Sequence, residues 1–213
     1  MRQVSKHFIV GMISLFILIG SVQPGPAEDA VLQANFQTVL KLLQEGRNDA
    51  AFAAIKEGLS RVESVRDAEP LSAAQTIGAY AFLAIGRNQE LTEAHGLVEG
   101  MIEVLKEQKL QDNGAFFDLL TQRANLAAAL GDIDGAGRSF DKAVLEARSV
   151  PGPNNQWLGR TLAGAATFHF EGRRYEKAIP LANEAFKVAP DLLAAVADES
   201  ARLFFTAAET EWE

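Results

Sequence analysis

The sequence predicts an all-α protein of stacked antiparallel helix pairs, and three observations carry that prediction. Four glycines, Gly46, Gly86, Gly131 and Gly172, recur at intervals of 40, 45 and 41 residues. Each closes an alanine-rich apolar run and is followed by a second run whose small and apolar residues fall at i, i+4, i+7 and i+8, which is one face of a helix. Alternating strand patterns are missing from the whole chain. Self-similarity at this period marks a stack in which no unit buries its apolar face alone.

The first helix of each pair is predicted at Leu32–Glu45, Ala73–Ile85, Phe116–Leu130 and Leu158–Glu171. These runs are rich in Ala, Leu and Phe and contain no internal proline, which favours helix over strand. The glycine after each run fits a C-terminal cap, where a left-handed backbone angle is easy for glycine alone. Asn48 and Asp49, Asn88, and Asp132 or Asp134 stand where they would cap the next helix.

The second helices carry the repeated face. Its members are Ala51, Ile55, Gly58 and Leu59, then Ala94, Val98, Met101 and Ile102, then Ala136, Phe140, Ala143 and Val144, then Ala178, Ala182, Ala185 and Phe186. The first member is always alanine, as expected where two helices approach closely. The distance from glycine to that alanine is 5, 8, 5 and 6 residues, so two turns are read as carrying small insertions. Asp67–Pro70 and Gln111–Gly114 read as linkers between pairs, and Pro151–Asn155 is the strongest break, with two prolines around a glycine.

This pattern resembles the tetratricopeptide repeat family. The nearest unit runs from Asn125 through Leu130, Gly131 and Asp132 to Ala136, followed by Phe140 and Ala143. The last unit resembles it through Phe168, Gly172, Tyr175, Ala178, Ala185 and Pro190. The first two units fit more loosely, with Thr38 and Val39 where the family prefers Leu and a small residue. The spacing exceeds the family's period of about 34 residues, which implies longer helices or linkers. The resemblance covers roughly residues 30 to 190 and implies a short right-handed superhelix that presents a surface to a protein or peptide partner.

The ends of the chain differ from the repeats. Arg2, Lys6 and His7 precede the apolar run Phe8–Val22, and Pro24, Gly25, Pro26 and Ala27 follow it. A basic start, a short apolar core and a small-residue exit describe a secretory signal peptide over residues 1–27. The run is shorter than the roughly 20 residues a spanning helix needs. The expected location is therefore periplasmic or secreted, with residues 28–213 as one repeat domain. The alternative is an uncleaved membrane anchor at residues 8–22. At the other end, Asp191–Trp212 contains no glycine and is expected to be the atypical helix that caps the stack.

Composition narrows the function classes. The net charge is −8, from 20 basic and 28 acidic residues. Without the two basic residues of the leader it becomes −10, so nucleic acid is not an expected partner. There is no cysteine, hence no thiolate nucleophile and no disulfide. Outside the leader only His95 and His169 remain, and neither is read as having a second metal ligand on its face. No phosphate loop or nucleophile elbow is found. The expectation is a binding protein with no catalytic residues, no metal and no cofactor.

In proteins of the resembling family the first helix of each pair lines the concave surface. Carried onto this sequence, that places Phe36, Tyr80, Thr121, Gln122, Asn125 and His169 on a partner-binding face. Asn125 and Gln122 would hydrogen-bond an extended backbone, and Tyr80 would supply an amphipathic contact. The family's basic carboxylate clamp needs Lys, Arg and Asn here, whereas most of these positions are small or apolar. That departure points to an apolar or helical ligand. The competing class is a helical enzyme or small-molecule sensor with a pocket between the repeats and the terminal helix.

Overall fold

The computed structural model describes residues 30–150 and 156–190. The leader at 1–27, the break at 151–155 and the capping helix expected at 191–212 lie outside the described residues. Among the described residues there are eight helices and no strand. They are α1 (Ala30–Gln44), α2 (Asn48–Val65), α3 (Pro70–Arg87), α4 (Leu91–Glu107), α5 (Gly114–Ala129), α6 (Ile133–Ser149), α7 (Gln156–Glu171) and α8 (Tyr175–Val188). The odd-numbered members are the first, inner helices of each pair and the even-numbered ones the second, outer helices.

The turn inside each pair is the same hydrogen-bonded device. In the first, Arg47 N–H donates to Leu42 O at 2.9 Å and Gly46 N–H to Leu43 O at 3.0 Å, with Gly46 left-handed at φ 71. This double closure, with one left-handed residue, satisfies carbonyls that the helix end would leave orphaned. The third pair repeats it with Gly131 at φ 91. In the second pair, however, α3 continues through Gly86 to Arg87, and the left-handed residue is Asn88 at φ 53. In the fourth it is Arg173 at φ 57, one residue after Gly172.

Two of the four glycines therefore do not cap. Measured on the left-handed residues Gly46, Asn88, Gly131 and Arg173, the intervals become 42, 43 and 42. The stack is more regular than its glycines. Measured from these residues, the distance to the repeated alanine is 5, 6, 5 and 5 residues, so only the second turn carries an extra residue. Asn88 also ends a helix and does not start the next one; Glu90, itself left-handed at φ 54, precedes α4. Asn48 lies inside α2, whose N-cap is Arg47 without a side-chain bond. Asp132 does cap, accepting Gly135 N–H at 2.8 Å, and Asn113 caps α5 by accepting Ala115 N–H at 2.9 Å. Pro70 opens α3, where its missing donor is tolerated.

The chain divides into two compact units, one ending at Ser139 and one beginning at Phe140. In the first, α1 packs on α2 and α3, and α3 packs on α2, α4 and α5, with α4 also against α5. The repeated faces of the outer helices point inward as predicted: Ala51, Ile55, Ala94, Val98, Met101 and Ile102 are buried. Gly58 marks the tightest approach. A Cβ there would lie 2.5 Å from Asn35 Oδ1 and 3.3 Å from Thr76 Cγ2, so only glycine lets α2 sit this close to both neighbours. In the second unit α7 packs on α8, and Phe140 meets Phe168 with ring centroids 5.1 Å apart. Arg148 reaches Glu184 with two hydrogen bonds, Nε to Oε1 at 3.0 Å and Nη2 to Oε2 at 2.5 Å. Being part-exposed, that pair adds at most about 1 kcal/mol. Leu59, Ala182 and Phe186, read as members of the repeated face, are half-buried.

Candidate functional site

The six residues assigned to a partner face all lie on inner helices, but five of them are inside. Phe36 is 4% exposed, Tyr80 0%, Thr121 9%, Gln122 6% and His169 2%. Asn125 alone is half-buried. The physical reason is visible at α3, which is contacted by α1, α2, α4 and α5. With neighbours around its circumference it buries 13 of its 18 residues. A residue three or four positions along such a helix meets another helix instead of solvent.

Tyr80 shows how a polar tip is accommodated there. Its hydroxyl donates to Glu90 Oε2 at 2.6 Å, and Lys56 Nζ donates to Glu90 Oε1 at 2.8 Å. The Phe52 ring stacks on Tyr80 at 5.7 Å, 19° from parallel. The Arg87 guanidinium lies 4.8 Å from the Phe52 centroid and pairs with Asp49. Burial, reinforced by the bond to Glu90, pushes the Tyr80 phenol well above its usual range. Glu90 is held below the ordinary carboxylate value, first by Lys56 and then by Tyr80. This network ties α2, α3 and the start of α4 together. Its partners are 10 and 34 residues apart, so no local motif announced it.

The polar residues of α5 are placed differently. Thr121 Oγ1 donates to Phe117 O at 3.0 Å within its own helix, while Gln122 Oε1 is buried without a hydrogen-bond partner. One turn beyond Thr121, Asn125 reaches the surface, its side-chain amide bonded to no described residue. In the second unit, His169 is buried with neither ring nitrogen hydrogen-bonded among the described residues. The sequence reading of the other histidine needs correcting. His95 does have a carboxylate on its own face, Glu99, one turn on at 3.9 Å. Glu99 also lies 3.8 Å from Arg123 Nε, so the pair belongs to a surface charge cluster.

The geometry defines a class: tandem helix pairs, each closed by a left-handed turn, with the inner helices stacked on one another in the first unit. Residues 116–191 match the family model for the tetratricopeptide repeat. Among solved structures, the nearly identical TPR-like repeats of a Podosopora anserina kinesin light chain-type protein align with a TM-score of 0.58. The alignment covers 91% of this chain and 89% of that one at 12% identity, a likeness of fold alone. No curated protein matches the chain. This is a tetratricopeptide-like helical repeat protein.

Proposed function

We propose that the chain is an exported, non-enzymatic scaffold that holds a segment of a partner protein, in cell-envelope assembly. The observation that carries this reading is the row of inner helices α1, α3 and α5, each packed on the next. Stacked repeats use such a row as an extended binding surface. Asn125 is the member of the assigned face placed to work without unfolding the core, since an accessible amide both donates to and accepts from an extended backbone. Gln122 and Thr121 lie beneath it on the same helix, and the buried Phe36, Tyr80 and His169 shape the inner helices from within.

Photo-crosslinking from position 129, one helical turn beyond Asn125 on α5, in intact cells tests the site. The expected result is one crosslinked protein whose yield drops at least about tenfold in Asn125→Arg, with helicity and melting temperature unchanged. A crosslink pattern identical in wild type and variant would remove Asn125 from the site. Export has its own test. The mature chain should begin at Glu28, and an N-terminus still carrying residues 1–27 in the membrane fraction would favour the anchor.

A further inference from the structure

His169 is the buried side chain with two uncompensated polar atoms among the described residues. It lies in the last turn of α7 and is 2% exposed. Neither of its ring nitrogens is hydrogen-bonded among the described residues, although a neutral imidazole offers one donor and one acceptor. Its ring is 5.2 Å from that of Phe168, and the Arg174 guanidinium sits 4.3 Å over the same Phe168 ring. The peptide N–H of Arg174 donates to His169 O at 2.8 Å, which holds the histidine against the turn into α8.

The charges facing the imidazole are Arg174 in that turn, Lys177 on α8 and Asp141 on α6, two cations against one anion. The C-terminal end of α7 by itself favours a cationic ring. Burial and the two cations outweigh it, and the imidazole is held below its ordinary range, burial contributing most. An added proton would therefore bring a third positive charge beside Arg174 and Lys177, with no acceptor for the new N–H among the described residues.

We propose that His169 is an acid-sensitive latch: protonation in mildly acidic surroundings releases the α7–α8 pair, which is closed at neutral pH. The sign follows from linkage. The folded pair excludes a proton that the opened pair binds, so stability is complete above about pH 6.5, the ordinary histidine value. It falls as the pH drops below that value, by at most tenfold in the opening equilibrium per pH unit for one proton. This inference does not depend on the scaffold reading, because it concerns the folding of the second unit alone.

Hydrogen exchange on the full chain at pH 7.5, 6.5 and 5.5, expressed as protection factors, tests it. Peptides from α7 and α8 should lose protection by up to about fivefold between pH 6.5 and 5.5, while those from α3 and α4 hold theirs. The loss should vanish in His169→Phe and in His169→Gln, which carry no titrating ring. A direct NMR titration of the wild-type imidazole should place its midpoint below the ordinary histidine value. The proposal is overturned if α7 and α8 keep their protection at pH 5.5, or if the loss persists in either variant. It is overturned equally if the His169 ring titrates at or above the ordinary value, a result that stands even where both variants fail to fold.

Discussion

The inner and outer helices divide the labour of this fold unequally. The inner helices α3, α5 and α7 bury 13 of 18, 11 of 16 and 9 of 16 residues. The outer helices α2, α4 and α8 bury 5 of 18, 5 of 17 and 2 of 14. The helices are of comparable length, 14 to 18 residues, so length does not explain the difference. The inner helix α3 has four neighbours and is apolar nearly all round, whereas an outer helix, like the inner helix α1 with its stripe of Leu32, Phe36, Val39, Leu40 and Leu43, needs a single stripe. The lesson for function is direct. Side chains on the inner row are mostly structural, and of the six residues read as a partner face only Asn125 is not buried.

Core truncation should expose this contrast most strongly. Phe116→Ala empties a fully buried site on the inner helix α5 and should lower stability by about 3–5 kcal/mol, measured by urea denaturation. Next in size is the turn between α1 and α2. Gly46→Ala forces a Cβ into the left-handed region at φ 71 and should lower stability by about 1–2 kcal/mol. Tyr80→Phe removes the hydroxyl bonded to Glu90 and should lose about 0.5–1.5 kcal/mol. It should also bring the Glu90 titration closer to normal. Because Glu90 is held low in the folded chain, its contribution is present above the ordinary carboxylate value and lost as pH falls below it. That window is more acidic than the histidine range of the second unit.

Two substitutions should do little, and they sharpen the comparison by that. Leu145, 68% exposed on the outer helix α6, should tolerate alanine within about 0.5 kcal/mol. Gly86 lies inside α3 with open space around its missing Cβ. Gly86→Ala should therefore stabilise by about 0.5–1 kcal/mol, the opposite sign from Gly46→Ala. Equal effects at the two glycines would contradict the assignment of left-handed caps to Gly46 and Asn88.

The helix pairs were legible because their signal is local. Apolar residues three and four apart need no knowledge of the fold, and the repeated faces around Ala94 and Ala136 are buried as read. The turns were half legible. Glycine is only the easiest residue for a left-handed angle, and Asn88 and Arg173 reach it as well, so glycine spacing misstated a period of 42 or 43 residues. The binding face was hardest to read. Helical projection shows which side of a helix a residue occupies but not how many neighbours crowd that side. Nothing around Tyr80 foretold that Glu90, ten residues on, would reach back to its hydroxyl.

The central claim is that the inner helices α3, α5 and α7 are the core and the outer helices a one-sided cover. Native-state hydrogen exchange at neutral pH tests it most directly, because local opening free energy follows burial and packing. Amides of α3 and α5 should exchange more slowly than those of α2 and α4 in the first unit. Slower exchange for α7 than for α8 is predicted in the second. Outer helices protected as well as, or better than, the inner ones would contradict it.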